Sequence, residues 1–325
     1  MALRSRFVAT TLVSRGLTLG RNGQLEEAAR VFDEVVARFG QSAEPALREL
    51  VAMALFDKGT ALGQLGRMEQ AAEAFDELLA RFGQSAEPAM RRPVASALVN
   101  KGAALGELGR PEEAARVCDE VVARFGQATE LVLREQVATA LVNKGMMLSR
   151  LGRMEEAAGF FDEVVARFGQ AVELGLREQV AKALVSKAAA LVPLGHPEQA
   201  VEVLDQVVAR FGPSVEPALR AQVGWALASK GAALSRLGRP EEAVEVLDQV
   251  AVRFGQNVEP TLRGPVAAAL VNKGAALVEL GRPEQAAEVY DEVVARFGQA
   301  AEPALREHVA AALRIKAKAT ARPPH

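Results

Sequence analysis

The sequence predicts an all-α protein, a right-handed α-solenoid built from seven helical hairpins and a C-terminal capping helix. The first observation is a strict period, because an Arg-Phe-Gly triplet recurs every 43 residues along the 325-residue chain. The second is that apolar residues within each copy are spaced three or four apart, as on one face of a helix. The third is composition: half of the residues are hydrophobic but only 5% are aromatic, which suits close-packed helices.

The period fixes the predicted organisation as one repeat domain over residues 1–325. The triplet ends at Gly40, Gly83, Gly126, Gly169, Gly212, Gly255 and Gly298. In a repeat array each unit packs only on its neighbours, so chain length does not imply separate globular domains. The predicted hairpins span about residues 2–40, 44–83, 87–126, 130–169, 173–212, 216–255 and 259–298, and the capping helix spans about 302–321.

The second helix of each hairpin is well marked, and the third copy shows why. Gly109 makes a turn, and Pro111 follows where a missing backbone N–H has no cost in a first helical turn. Ala114, Cys118 and Val121 then define an apolar face. Gly126 ends the segment, and we expect it to adopt the left-handed conformation usual after a helix.

The first helix of each hairpin is longer. In the fourth copy it begins at about Glu130, and apolar residues continue at helical spacing to Leu148. Proline marks the first turn in most copies. Pro93 and Pro265 lie five residues further in, which predicts either a kink or a late start of the regular helix in those two copies.

Three small residues per copy carry a resemblance to a known family. In the third copy these are Gly102, Gly109 and Ala114, and the chain thereby resembles a tetratricopeptide repeat protein over essentially its whole length. The place of Gly102 is held in the other copies by Gly16, Gly59, Gly145, Ala188, Gly231 and Gly274. The 43-residue unit exceeds the family's common length of about 34, and is similar to the long repeats of kinesin light chains. A lysine replaces the usual leucine before the close-packing glycine, and we expect its ammonium to reach solvent.

The resemblance implies a binding groove lined by the first helices. In the family an asparagine two residues before the close-packing glycine often holds the backbone of an extended peptide, since its amide both donates and accepts. That place carries Asn100, Asn143, Asn272, Asp57, Ser186 and Ser229, with Ser14 in the first copy. The alternative is that these polar residues only fill a solvated face.

One turn earlier on the same helices lies a place that varies while its surroundings do not. Its occupants are Thr10, Met53, Ser96, Thr139, Lys182, Trp225 and Ala268. Trp225 is the only tryptophan, and tryptophan is enriched in binding hot spots. Packing against a neighbouring first helix is an equal alternative for it. Further along, basic residues such as Arg150 alternate with acidic ones such as Glu107, so an acidic C-terminal peptide is not the favoured ligand.

Composition argues against several other functions. The formal charge of −2 provides no long-range field for nucleic acid or a membrane surface. We find no signal peptide and no apolar stretch long enough to span a bilayer. Cys118 is the only cysteine, so no intrachain disulfide forms, and we expect a buried thiol and a cytoplasmic location. The abundance of alanine and arginine favours a bacterial source.

No catalytic, metal-binding or cofactor-binding pattern is evident, so we expect no enzyme activity. The leading prediction is a non-catalytic protein–protein interaction scaffold that binds a peptide or protein segment in the concave groove. The alternative is a structural protein that self-assembles into homo-oligomers through its repeat faces. Size-exclusion chromatography with light scattering separates the two.

Overall fold

The computed structural model describes residues 2–255 and 259–320, and every regular element in this part is an α-helix. The chain divides into two compact units, residues 1–153 and 154–325, and each is described by itself. The single-domain organisation stays a prediction. The helices are α1 (Ala2–Arg21), α2 (Leu25–Phe39), α3 (Pro45–Gln64), α4 (Met68–Phe82), α5 (Pro88–Glu107), α6 (Pro111–Phe125), α7 (Leu131–Arg150), α8 (Met154–Phe168), α9 (Leu174–Leu191), α10 (Pro197–Phe211), α11 (Pro217–Arg236), α12 (Pro240–Phe254), α13 (Pro260–Glu279), α14 (Pro283–Phe297) and α15 (Pro303–Thr320).

The helices of each unit form two layers, which confirms the predicted all-α solenoid. In the first unit α1, α3, α5 and α7 pack side by side, whereas α2, α4 and α6 contact only first helices within the described residues. The second unit repeats this arrangement with α9, α11, α13 and α15 against α8, α10, α12 and α14. We call the layer of first helices, which pack side by side within each unit, the inner wall.

The predicted close-packing glycines lie where the two helices of a hairpin approach most closely. A Cβ atom added at Gly59 would lie 2.6 Å from Cε1 of Phe75, and one at Gly274 would lie 2.4 Å from Cε1 of Tyr290. At Gly102 the clearance is larger, 3.4 Å to Sγ of Cys118. The glycine is therefore sterically required where an aromatic ring fills the hairpin, and less so where a cysteine replaces it.

The left-handed glycine is not where we expected it, and the prediction for Gly126 was wrong. Gly126 has φ −58° and continues the right-handed turn of α6, donating its N–H to the Val122 carbonyl at 2.8 Å. A Cβ there would lie 2.4 Å from that same oxygen, which explains the glycine. The left-handed residue is instead Gly109, at φ +72°. After it, Arg110 donates its N–H back to the Leu105 carbonyl, the bond that closes a Schellman turn.

The two internal prolines do not delay their helices, so of the two predicted alternatives, a kink or a late start, the late start is wrong. The helix α5 begins at Pro88 and continues through Pro93, and α13 likewise begins at Pro260 and contains Pro265. The residues Met90 and Val94 on either side of the α5 proline are both buried. Because this packing is retained, the helix tolerates the loss of one backbone hydrogen bond.

An Asp–Lys ladder joins each second helix to the next first helix, and the sequence analysis missed it. The lysine before each close-packing glycine does not simply extend into solvent, because its ammonium forms an ion pair with an aspartate 25 residues earlier. The pairs are Asp33–Lys58, Asp76–Lys101, Asp119–Lys144, Asp162–Lys187, Asp205–Lys230, Asp248–Lys273 and Asp291–Lys316. The constant spacing was visible in the sequence, but only the fold shows that 25 residues span adjacent hairpins.

Candidate binding surface on the inner wall

The predicted polar row lies on neighbouring first helices within each unit. In the first unit Asp57, Asn100 and Asn143 project from α3, α5 and α7, which pack side by side. In the second unit the corresponding residues lie on α9, α11 and α13, namely Ser186, Ser229 and Asn272. All six side chains are half-buried. Each unit therefore has polar groups at regular intervals along its inner wall.

The asparagines of the row do not all have the same environment. Nδ2 of Asn272 donates a hydrogen bond to the Ala228 carbonyl at 3.0 Å, which links α13 to α11. Within the described residues, the side-chain amides of Asn100 and Asn143 make no hydrogen bond. These two amides are thus available to a ligand backbone, whereas Asn272 has a packing role that uses one of its donors.

Asp57 has the most unusual electrostatic environment in the row. Burial raises the pKa of its carboxyl group to about 6, because the half-buried site disfavours the charged form. At neutral pH the group is mostly ionised, and within the described residues it has no ion-pair partner. A cationic group of a ligand would supply the charge that the protein does not.

The variable place one turn earlier ranges from exposed to buried. Met53 is 42% exposed, whereas Ala268 is only 7% exposed. The hydroxyl of Thr139 donates to the Glu135 carbonyl of its own helix at 2.8 Å. Lys182 is half-buried, and burial lowers the pKa of its ammonium. The side chains at this place therefore differ in size, charge and accessibility from one helix to the next.

Trp225 packs across the inner wall of the second unit. A Cβ added at Gly264 of α13 would lie 3.0 Å from Cζ2 of the indole, so the ring covers that glycine. The ring also approaches His308 of α15, with centroids 6.5 Å apart and planes tilted by 39°. Burial lowers the pKa of His308, which favours the neutral imidazole. The packing interpretation of Trp225 is thus supported, although the residue as a whole is only half-buried.

A second glycine explains why the indole fits between these helices. A Cβ added at Gly224 would lie 2.9 Å from Cβ of Pro265, so α11 and α13 approach closely beside the tryptophan. The sequence analysis missed Gly224, Gly264 and His308 as neighbours of Trp225. The available signal was that glycine at residues 224 and 264 interrupts places that other copies fill with larger residues.

The charges at the rim of the inner wall neutralise one another between α5 and α7. Nη1 of Arg150 donates to the Gly106 carbonyl at 2.8 Å, and Nη2 lies 3.6 Å from the Glu107 carboxylate. The mixed wall expected from the sequence therefore presents paired charges here rather than a basic cluster.

Other chemistry-bearing groups lie outside the inner wall. Cys118 is buried, and burial raises the pKa of its thiol to about 12, so the reactive thiolate is suppressed at neutral pH. Within residues 2–255 and 259–320, no group of three or more His, Cys, Asp or Glu side chains is arranged to hold a metal ion. In the same part of the chain, no helix combines the length and the hydropathy needed to span a membrane.

Family models match most of the chain. A model described as "Tetratricopeptide repeat" matches residues 13–87, 56–129, 99–172 and 229–301. A second, described as "Tetratrico peptide repeat", matches residues 145–252. Among curated protein sequences, none matches the chain significantly.

Solved structures share the fold at low sequence identity. A tetratricopeptide repeat protein from Parabacteroides merdae is 15% identical, with 94% of this chain and 98% of that chain covered and a TM-score of 0.63. The apo form of RapI is 11% identical, with 97% and 82% covered and a TM-score of 0.66. NprR in complex with its cognate peptide NprX is 11% identical, with 95% and 83% covered and a TM-score of 0.57. These likenesses establish the fold.

Proposed function

Because this chain belongs to the tetratricopeptide repeat family, we propose that it is a non-catalytic protein–protein interaction scaffold whose inner wall receives a peptide or protein segment. The observation that carries the proposal is the row of Asp57, Asn100 and Asn143, whose half-buried polar groups lack hydrogen-bond or ion-pair partners within the described residues. The structural likeness to NprR, which was solved with a bound peptide, supports it. The cytoplasm stays the predicted location.

The dimensions of the wall suit an extended ligand. Packed helices lie about 8–10 Å apart, and an extended chain advances about 3.3 Å per residue. A strand-like segment would therefore cross one first helix for about every three residues. Asn100 and Asn143 would each pair with a backbone N–H and C=O of the segment, independently of its side chains.

Selectivity would come from the residues around these backbone contacts. The unpaired carboxylate of Asp57 would favour a Lys, an Arg or a free amino group at the end of the segment nearest α3. Thr139, beside Asn143, would set the size of the neighbouring side chain. In the second unit, Lys182 and the accessible part of Trp225 offer a cationic and an aromatic contact on α9 and α11.

The test is an affinity measurement with a defined ligand. A random peptide library displayed on phage is selected on the intact protein, and the best peptide is labelled with fluorescein for anisotropy titration. Replacing Asn100 and Asn143 together by alanine is expected to weaken binding at least tenfold, because two backbone contacts are lost.

A matched control separates loss of contact from loss of fold. The double variant Glu73→Ala/Arg116→Ala changes exposed residues of the second helices α4 and α6, and it is expected to change affinity less than twofold. If this control weakens binding as much as the asparagine variant, or if the asparagine variant binds like wild type, the inner-wall proposal is wrong.

Self-assembly is the second candidate, and one residue favours it. Leu313 of α15 is 51% exposed, whereas its counterpart Leu98 is 1% exposed. At the other end, α1 carries exposed Arg4 and Thr11 where α3 carries buried Leu47 and Ala54. The helix α1 also exposes Leu3 and Phe7, at 85% and 73%, so both terminal helices carry apolar surface. We take α15, whose exposed Leu313 has a buried counterpart, as the face that would form a dimer.

Light scattering distinguishes the dimer from the monomer. If α15 mediates assembly, the wild-type protein elutes at twice the monomer mass and Leu313→Asp restores the monomer. A monomeric wild-type protein at high concentration would rule out this candidate and leave the scaffold proposal intact.

A further inference from the structure

The second unit exposes apolar side chains at the edge where second helices end and first helices begin, which we call the loop edge. Val172 and Val215 lie in the connections before α9 and α11, and both are 82% exposed. Val252 lies in the last turn of α12 and is 86% exposed, and Leu174 at the start of α9 is 39% exposed. None of these residues contributes to the core, so the fold does not account for their hydrophobicity.

The positions of the first unit that correspond to the three valines carry smaller residues. Forty-three residues separate equivalent places, so Val172 and Val215 correspond to Ala43 and Ala86. By the same register, Val252 corresponds to Ala80, while Leu174 stands where α3 and α5 begin with proline and α7 begins with Leu131, which is 41% exposed. The three exposed valines are therefore a feature of the second unit rather than of the repeat.

Each unit also has a cavity at its loop edge, and the two are built from equivalent residues. The first, of about 440 Å³, includes Arg48, Arg81 and Phe82 in its lining. The second, of about 540 Å³, includes Arg220 and Arg253, which stand 172 residues after Arg48 and Arg81. The arginine on the first helix, Arg48 in one cavity and Arg220 in the other, forms an ion pair with a glutamate in both cavities. Arg48 pairs with Glu87 at 3.1 Å, and Arg220 pairs with Glu259 at 2.5 Å.

The arginine on the second helix, Arg81 in the first unit and Arg253 in the second, has different partners in the two cavities. In the first unit Nη2 of Arg81 lies 2.7 Å from the Glu77 carboxylate, and Nη1 donates to the Gly40 carbonyl at 3.0 Å. In the second unit the residue four before Arg253 is Gln249, which carries no charge. Within the described residues Arg253 forms no ion pair, so its charge is not neutralised by the protein.

The same substitution occurs one hairpin earlier. Arg210 of α10 follows Gln206, so it also has no carboxylate one turn before it. Arg210 donates to the Gly169 carbonyl and stacks over Phe211 at 5.0 Å, so it is held at this edge. Two successive second helices of the second unit thus end with an arginine that has no carboxylate one turn before it.

We propose that the loop edge of the second unit is a second docking surface, separate from the inner wall, for a protein segment that carries a carboxylate next to an apolar side chain. The carboxylate pairs with Arg253 in the bidentate geometry that guanidinium favours. The adjacent apolar side chain covers Val252 and Val215, which are the chain neighbours of Arg253 and Ser214 in the lining of the 540 Å³ cavity. Exposed apolar surface bordered by an unneutralised charge is typical of interaction sites, and its charge selects an acidic partner.

The experiment uses two labelled peptides on the intact protein. The acidic probe is a fluorescein-labelled peptide of about twelve residues that contains Leu-Glu pairs, and the basic probe has Lys in place of each Glu. We expect the acidic probe to bind at least tenfold more tightly than the basic probe at low salt. Arg253→Gln should reduce its affinity about tenfold, and Val252→Ala should reduce it about threefold.

Arg81→Gln is the matched control, since it removes the equivalent guanidinium at the loop edge of the first unit. It is expected to change the affinity of the acidic probe less than twofold, and circular dichroism should show unchanged helix content for all variants. Equal loss in Arg81→Gln and Arg253→Gln, no preference for the acidic probe, or no binding of either probe would overturn the proposal.

A further variant keeps this proposal separate from the inner-wall function. Asn100→Ala/Asn143→Ala should leave the binding of the acidic probe unchanged. Loss of the acidic probe in that variant would place it on the inner wall and overturn the loop-edge site. If the loop-edge test fails, the inner-wall proposal is unaffected, because it is tested with the phage-selected peptide and with the asparagine variants.

Discussion

The residues that join successive helices are nearly the same in every repeat, whereas the residues of the inner wall change from one repeat to the next. Each Asp–Lys pair of the ladder recurs at the same spacing, from Asp33–Lys58 to Asp291–Lys316. On the inner wall, by contrast, one equivalent place holds Thr139, Lys182 and Trp225 in successive first helices. The repeated residues maintain the array, and the variable residues are those that a partner would distinguish.

The largest effect on stability is expected from a substitution of the glycine at the centre of a hairpin, where the two helices pack most closely. Gly59→Ala is expected to lower the free energy of unfolding by about 2–3 kcal/mol, because the added Cβ would lie 2.6 Å from the Phe75 ring and force it to move. The measurement is urea denaturation followed by circular dichroism, with hydrogen exchange to locate the change in α3 and α4.

The matched variant is Gly102→Ala, where the added Cβ meets Sγ of Cys118 at an ordinary 3.4 Å. Here the helix propensity of alanine is expected to raise stability by up to about 1 kcal/mol. If both variants are destabilised equally, the aromatic residue does not determine the need for glycine.

On the inner wall, Asp57→Asn is expected to raise the free energy of unfolding at pH 7 by about 2 kcal/mol. The pKa of this carboxyl is about 6 in the folded protein, against 3.8 for an unperturbed Asp, because burial disfavours its charge. A pKa raised by folding means that ionisation lowers stability as pH rises from about 4 to about 6.

The pH dependence identifies the cause. Below about pH 3 both states are largely protonated, so the variant and the wild type should have equal stability. Above about pH 6 the full difference should appear in thermal unfolding. A stability difference that is the same at about pH 3 and pH 7 would exclude the carboxyl charge as its source.

One hairpin differs from the others because the aromatic ring at its centre carries a hydroxyl group. Tyr290 is fully buried against Gly274, and among the residues that the structure describes its hydroxyl oxygen has no hydrogen-bond partner. Tyr290→Phe is expected to raise stability by about 1 kcal/mol, since an unsatisfied buried group is removed. The equivalent residues Phe32 and Phe75 show that the site accepts the ring. A loss of stability in chemical denaturation would show that the hydroxyl is satisfied in solution.

The ladder itself is expected to contribute least per pair. Nζ of Lys187 lies 2.6 Å from the Asp162 carboxylate, but that aspartate is 56% exposed, so solvent weakens the attraction. A double-mutant cycle with Asp162→Asn and Lys187→Met should give a coupling energy of about 0.5 kcal/mol, decreasing at high salt. A coupling above about 2 kcal/mol would make the ladder a principal source of stability.

The sequence predicted the fold well because its period and helical spacing are properties of the chain alone. The turn at Gly109 and the close approach at Gly59 follow from the residue type at a fixed place in the repeat. The conformation of Gly126 could not be predicted in this way, because glycines of either hand end helices. The hydrogen bond from Gly126 to Val122 shows that this glycine is right-handed.

The candidate sites were predicted less completely, since they depend on which copies become neighbours. Asn100 and Asn272 occupy the same place in the repeat, yet within the described part of the chain Asn272 bonds to the preceding first helix and Asn100 does not. The packing of Trp225 depends on Gly264 and His308, which lie on two other helices. No spacing rule within one repeat reports such contacts between helices.

The central claim is that partners bind the inner wall of the first helices. The most direct measurement introduces the photo-crosslinking residue p-benzoylphenylalanine at Ser96 of α5 or, separately, at Arg116 of α6, and irradiates each variant with the phage-selected peptide. We predict a crosslink from residue 96 only, because it lies beside Asn100 on the inner wall while residue 116 is exposed on the second-helix layer. A crosslink from residue 116 and none from residue 96 would contradict the account.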